Sequence, residues 1–370
     1  MNVHESDKIA ALLTSHGLTR TDDHETADIL IFNTCTVRNT AEEKIISHIG
    51  LAHSQKRGGR RVTIAVVGCL SQREGVATSL MKKFPRLDII LGTHNIGRIA
   101  TAVDNATAGK KTLDIITERE DFTVPVTDTV RTDNTDLVTH KPGTDTHFIN
   151  ITYGCENYCT YCIVPYVRGK LISRPMSEIE SEFAEYKTGT VYLLGQNVNS
   201  YKCPETNTDF VGLLRHLSRD TNVMLNFLSS HPRDFTNELA AEIASNPRID
   251  KNIHLPIQSG STRILKLMNR GYTADDFRAK IANLRALCVD VKLTTDIICG
   301  FPSETDDDFA ETMQLVRDIK FNAAFIFPYS RRSGTPADKM PDQIPQKIKK
   351  ERTTKLIELQ RQIANAKIQP

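Results

Sequence analysis

The sequence predicts an α/β protein of two domains: an N-terminal parallel-sheet α/β domain followed by a partial (βα)6 TIM-like barrel. Three observations predict it. The chain has 370 residues, more than one hydrophobic core organises. Short apolar runs alternate with helix-period segments in both halves, the pattern of parallel sheets. Between the halves, eight threonines fall from Thr123 to Thr146 with Pro125, Pro142 and Gly143, the composition of an extended linker.

The first domain, 1–104, reads in order. Residues 5–16 predict an amphipathic helix with Ile9, Leu12 and Leu13 on one face. Asp28-Ile29-Leu30-Ile31-Phe32 is a buried strand ending in Asn33-Thr34-Cys35, and Thr40-Ala41-Glu42-Glu43 is a capping box opening the next helix. Val62–Val67 is a second buried strand, ending in Gly68-Cys69. A helix near 73–83, a strand over 87–91 and a helix near 96–104 follow, and the linker occupies 105–146. In such sheets ligands bind beyond the carboxyl ends of the strands. Cys35 and Cys69 each follow a strand directly, so both stand on that edge. They are a functional pair or two small core residues.

The barrel domain, 147–340, has candidate strands at 147–152, 190–194, 223–228, 252–256, 292–298 and 322–328. Helical patterns fill the gaps near 177–187, 209–219, 235–246, 273–288 and 306–319. Active sites of such barrels are built from the loops after the strands. Those loops hold Cys155, the run Gly195–Tyr201, Ser229-Ser230-His231-Pro232, Gln258-Ser259-Gly260-Ser261, Gly300–Thr305 and Tyr329-Ser330. The last segment, 341–370, carries a basic amphipathic helix with Lys347, Lys349, Lys350, Arg352 and Lys355, a path for a polyanion or a solvated face.

Cys155, Cys159 and Cys162 form C-x-x-x-C-x-x-C. Structural zinc takes four ligands, usually in two separated pairs, and an electron-carrying cubane takes four thiolates. Three thiolates on a cubane leave one iron open to a ligand. A partial zinc site, or three buried cysteines with no metal, are the alternatives.

The spacing is that of the radical S-adenosylmethionine (SAM) enzymes. Further stretches narrow the resemblance: Cys35 and Cys69 on an α/β domain, Leu194-Gly195-Gln196-Asn197-Val198-Asn199-Ser200-Tyr201, Ser230-His231-Pro232, His254–Ser261, Met268-Asn269-Arg270-Gly271-Tyr272 and Met340-Pro341-Asp342-Gln343. Together, and over essentially the whole chain, they resemble the methylthiotransferase family, most closely its members acting on tRNA. The resemblance implies sulfur insertion at C2 of an isopentenylated adenosine beside the anticodon, then methylation of that sulfur. One SAM supplies a radical and another the methyl group. It also implies a 4Fe–4S cluster on Cys155, Cys159 and Cys162, with SAM on its open iron, and a second 4Fe–4S cluster for which Cys35 and Cys69 match two of three ligands. A low-potential electron donor of flavodoxin or ferredoxin type and the tRNA anticodon stem-loop are the implied partners. Gly195, Asn197, Gln258 and Ser259 are the implied SAM contacts, glycine because it lets backbone approach the ligand. A related substrate, threonylcarbamoyl-adenosine tRNA or a ribosomal-protein aspartate, is the alternative, as is an iron–sulfur RNA-binding remnant without turnover.

The resemblance sets expectations for the ends as well. The third ligand of the second cluster would precede Met1, and a terminal RNA-binding β-barrel would begin where this chain stops. Elsewhere the composition says less. Lys plus Arg is 47 and Asp plus Glu 45, so net charge does not point to nucleic acid. Eight cysteines without a secretory leader or a membrane-length apolar run predict the reducing cytoplasm and no membrane. Lys56, Arg57, Arg60 and Arg61 read as a solvated loop or an RNA phosphate contact. His231, His254 and Arg168 stand near the expected site, as structural or functional groups; Cys203, Cys288 and Cys299 read as bystanders.

Overall fold

A computed structural model describes residues 2–35, 39–116 and 145–368. Contacts divide them into two units: the described residues through 116 with Tyr153–Glu156 and Ile163–Ile172, and Thr144–Thr152, Asn157–Cys162 and the chain from Ser173 onward.

The first unit is a four-stranded parallel sheet in sequence order: Ile29–Thr34, Thr63–Gly68, Ile89–Leu91 and Thr112–Asp114. Its central strands are apolar from Ile64 to Val67 and from Ile89 to Leu91, as burial on both faces demands. Ile64, Val66 and Ile90 face one buried cluster, with Leu70, Leu80 and Phe84. Ala65, Val67, Ile89 and Leu91 face another, with Ile9, Leu13 and Ile99. The first helix, Asn2–Ser15, supplies Ile9 and Leu13. The helix predicted after Thr40 runs Asn39–Arg57; the Thr40 side chain of the expected capping box lies outside the described residues, and Glu43 is exposed.

One boundary differs from expectation. Most of the predicted linker lies outside the described residues, but Thr112–Asp114, inside it, pairs with Ile89–Leu91 as the fourth strand. It escapes sequence reading because it is a short edge strand whose one apolar side chain, Leu113, points outward and is 47% exposed. A strand with no buried face has no alternation to detect.

The second unit holds six parallel strands: Thr146–Asn150, Thr190–Leu194 and Met224–Phe227 in one sheet, and Asn252–His254, Lys292–Cys299 and Ala323–Pro328 in the other. Parallel bridging of Leu225 to Ile249 carries the ladder toward the fourth strand. Helices follow the strands, so the unit is an open (βα)6 barrel. Strand Lys292–Cys299 alternates along its length: Leu293, Thr295, Ile297 and Cys299 are buried, and the residues between are half-buried or exposed. The helix Asp306–Ile319 starts with a capping box between Thr305 and Asp308.

The final helix, Gln346–Ile368, is not a simple basic face. Lys347, Lys350 and Lys355 are exposed, but Lys349 and Arg352 are buried. Arg352 pairs with Glu304 at 2.7 Å and Asp306 at 2.8 Å, and Lys349 Nζ donates to the Tyr329 carbonyl at 3.1 Å. Two of the five basic residues therefore fasten the helix to the barrel. Among the described residues no helix is long and apolar enough to cross a membrane.

Candidate functional site

The three cysteines follow the first barrel strand. Cys155 and Cys159 are buried and Cys162 is half-buried, none of them in a disulfide. The Cys155 N–H donates to the Gly169 carbonyl at 3.1 Å, and Gly154 at φ +69° lies so close to Lys170 that a Cβ would stand 1.9 Å from its carbonyl oxygen. Only glycine fits there. In the second unit, the Cys162 N–H donates to the Cys159 carbonyl at 2.8 Å, and the Thr160 N–H to the Met268 carbonyl at 3.1 Å. Asn269 Nδ2 donates to the carbonyls of Asn157 and Tyr158. The loop is thus held by backbone bonds to Met268 and side-chain bonds from Asn269.

The residue that sequence reading missed is Arg270. Its guanidinium is buried and Nη1 donates to Cys159 Sγ at 3.2 Å. His231 Nε2 stands 4.0 Å from the same sulfur, while its Nδ1 accepts from the Arg233 N–H at 3.2 Å. Burial, with Arg270 nearby, pushes the His231 imidazole down to about 2. It is a neutral ring at physiological pH. His254 bonds Thr294 at 2.9 Å and Asp296 at 3.2 Å, a satisfied partly buried pair.

Residues expected to touch SAM are placed as follows. A Cβ on Gly195 would lie 2.0 Å from Thr152 Oγ1, so this glycine is required by its own protein neighbour. Asn197 Nδ2 donates to Asp234 at 2.8 Å. Ser259 Oγ accepts from the Ser261 N–H at 3.2 Å and lies 3.4 Å from Thr312 Oγ1. Gln258 has φ +74°, and its backbone bonds to the fifth strand at Asp296 and Ile298. Much of this polar chemistry therefore shapes loops.

Four other polar atoms are left over. Thr152 Oγ1, Asn197 Oδ1, Ser230 Oγ and the Tyr329 hydroxyl are buried with no hydrogen-bond partner among the described residues. Each follows a strand of the same barrel. An unmade buried hydrogen bond costs roughly 1–3 kcal/mol, so this rim is suited to a ligand with several polar groups.

The first unit carries a second thiol pair. Thr34 and Gly68 are register partners in adjacent strands, which places Cys35 and Cys69 side by side at one sheet edge. Thr34 Oγ1 donates to the Val67 carbonyl and accepts from the Leu70 N–H, fixing the turn at Cys69. Gly68 has φ +97°, and a Cβ there would meet the Thr34 carbonyl oxygen at 2.7 Å. Burial pushes the Cys69 thiol up, opposed by the Arg168 guanidinium that hydrogen-bonds it. Arg168 in turn pairs with Glu5 at 2.9 Å. Of the basic loop, Lys56 pairs with Asp88, and Arg60 donates to the carbonyls of His24 and Ala27.

These donors fit an anionic iron–sulfur cluster. Thiols are its protein ligands, and the Arg270 guanidinium at Cys159 is placed to offset an anionic cluster's charge. Among the described residues no three His, Cys, Asp or Glu side chains gather as tightly as one metal ion requires; a cubane spreads its thiolates over three irons.

Residues 149–316 match the family described as Radical SAM superfamily, and residues 1–92 match Uncharacterized protein family UPF0004. The radical SAM methyltransferase TsrM from Kitasatospora setae superposes with a TM-score of 0.62 at 17% identity, over 90% of this chain and 74% of that one. The cobalamin-dependent radical enzyme OxsB gives 0.55 at 11% identity, over 96% and 53%. These likenesses show the fold alone, and with the family match the class is that of the radical SAM enzymes. The "tRNA-2-methylthio-N(6)-dimethylallyladenosine synthase" of Clostridium tetani is 40% identical over 97% of this chain and 78% of its own length. That of Pelotomaculum thermopropionicum is 40% identical over 98% and 80%. The chain belongs to the radical SAM methylthiotransferase family.

Proposed function

We propose that this protein adds a methylthio group to C2 of an isopentenylated adenosine beside the tRNA anticodon. The likeness to the two synthases carries the reading, because it spans both units instead of the cluster loop alone. Adenine C2–H is neither acidic nor electrophilic enough for acid–base chemistry near neutral pH. When bound, a 4Fe–4S cluster with SAM supplies the low-potential electron and carbon radical that such a position requires.

The chain's own residues have positioning roles. Cys155, Cys159 and Cys162 hold the cluster. Thr152, Asn197, Ser230 and Tyr329 present unpaired polar atoms toward SAM, with Gly195 allowing Thr152 its place, and the backbones of Gln258 and Ser259 shape the neighbouring loop. His231, neutral and buried beside Cys159, excludes water and holds no exchangeable charge there. In the first unit Cys35 and Cys69 hold part of a second cluster that carries sulfur. The anticodon stem-loop of tRNA is the substrate, a flavodoxin- or ferredoxin-type protein the electron donor, and the cytoplasm the compartment.

Anaerobic incubation with SAM and dithionite tests the radical step. The wild-type protein is expected to release 5'-deoxyadenosine and Cys159→Ala none. Equal release from both would overturn the assignment of the loop.

A further inference from the structure

Arg270 is an unusual charge to find at full burial. It is 4% exposed, and among the described residues none of its hydrogen-bond partners is a carboxylate. Nη1 donates to Cys159 Sγ at 3.2 Å and to the Tyr161 hydroxyl at 3.3 Å. Nε donates to the Tyr272 hydroxyl at 3.0 Å, and Nη2 to the Pro256 carbonyl at 2.9 Å. Tyr161 and Tyr272 supply hydroxyl oxygens and no carboxylate. Arg168, beside Cys69, differs: Glu5 neutralises it at 2.9 Å. One thiol site thus faces a compensated guanidinium and the other an uncompensated one. A buried charge without a counter-charge is costly. The charge that would offset Arg270 is the negative cluster carried by Cys159.

We propose that Arg270 is a positioning residue that raises the reduction potential of the cluster held by Cys155, Cys159 and Cys162. This rests on the radical SAM reading above. Reduction adds one negative charge to the cluster, and a fixed cation at bonding distance from a ligand sulfur stabilises the reduced form more than the oxidised one. Hydrogen bonds to the sulfurs act in the same sense. The bonds to Pro256, Tyr161 and Tyr272 hold the guanidinium plane, so the effect needs no reorganisation when the electron arrives.

The test uses the full chain, reconstituted anaerobically, as wild type, Arg270→Gln and Tyr272→Glu. Tyr272→Glu leaves Arg270 in place but gives it the kind of partner Arg168 has in Glu5. Iron content is measured first, then the midpoint potential by redox titration followed by electron paramagnetic resonance. Both variants are expected to titrate at a more negative potential than wild type. At a fixed solution potential near the wild-type midpoint, the ratio of reduced to oxidised cluster should fall roughly tenfold, which corresponds to about 59 mV for a one-electron couple. A stronger reductant should restore SAM cleavage, which it would not do for a distorted site. A Gln variant that loads the cluster and titrates at the wild-type potential overturns the role of Arg270. If the Gln variant holds no iron, an unchanged potential in Tyr272→Glu overturns it instead. A wild-type chain that takes up no cluster on the three cysteines overturns the underlying reading, and this proposal with it.

Discussion

Arg168 Nη1 donates to Glu5 Oε1 at 2.9 Å, joining residues 163 positions apart within the first unit. The two side chains are 6% and 7% exposed. The guanidinium also hydrogen-bonds Cys69, so the pair supports the second thiol site. Removing one partner of a buried ion pair costs about 3–5 kcal/mol, because the other charge is left uncompensated. Glu5→Gln should therefore lower the unfolding temperature of this unit. Arg168→Met/Glu5→Gln, which removes both charges, should recover most of that loss. Calorimetry of wild type, Glu5→Gln, Arg168→Met and the double variant checks it; a double variant whose loss equals the sum of the singles would show that the charges do not interact.

Gly195 tests whether loop packing or ligand approach demands glycine. A Cβ there would meet Thr152 Oγ1 at 2.0 Å and Thr152 Cβ at 3.3 Å. Gly195→Ala should destabilise the barrel by about 1–3 kcal/mol through overpacking. Adding Thr152→Ala removes the nearest atom and should return much of the stability. Denaturant melts read the difference, and a double variant no better than Gly195→Ala would place the strain elsewhere.

Asp308 gives a pH-dependent stability. Burial would raise its carboxyl, but bonds from Arg263, Ser261 and Thr305 prevail and hold it below the usual range. A depressed carboxyl stabilises the fold above its unfolded pKa, about 3.9, and that contribution disappears as pH falls through the folded value. Asp308→Asn should cost roughly 1–3 kcal/mol at neutral pH. The gap from wild type should be constant from neutral pH down to about 5 and close below about 4. Melts across that range would contradict this if the gap widened with acid.

The strands were legible wherever a short apolar run stood out, whether fully buried, as over residues 64–67, or half-buried, as over residues 29–32. Ile29–Thr34, Thr63–Gly68 and Thr190–Leu194 fall within a residue or two of expectation. The cysteines were legible because spacing is a property of sequence. Thr112–Asp114 was not, having no buried face. Nor were Arg168 and Arg270 assigned to their sulfurs. A basic residue in a glycine-containing loop is ordinarily solvated, and only folding reveals that Glu5 or Cys159 is its partner. The glycines and serines near the barrel rim divide their roles in a way no motif states. Gly195 accommodates Thr152, while Gly260 lets its loop approach the helix Asp306–Ile319, where a Cβ would stand 2.5 Å from Thr312 Cα.

The modified nucleoside is the most direct readout of the proposed reaction. Reconstituted protein, SAM, dithionite and isopentenylated tRNA are combined without oxygen, and the tRNA is digested for mass spectrometry. The expected product is the methylthio derivative of isopentenyladenosine, absent from tRNA that lacks the isopentenyl group and absent with Cys159→Ala. Unmodified isopentenyladenosine from an incubation that still generates 5'-deoxyadenosine would contradict it.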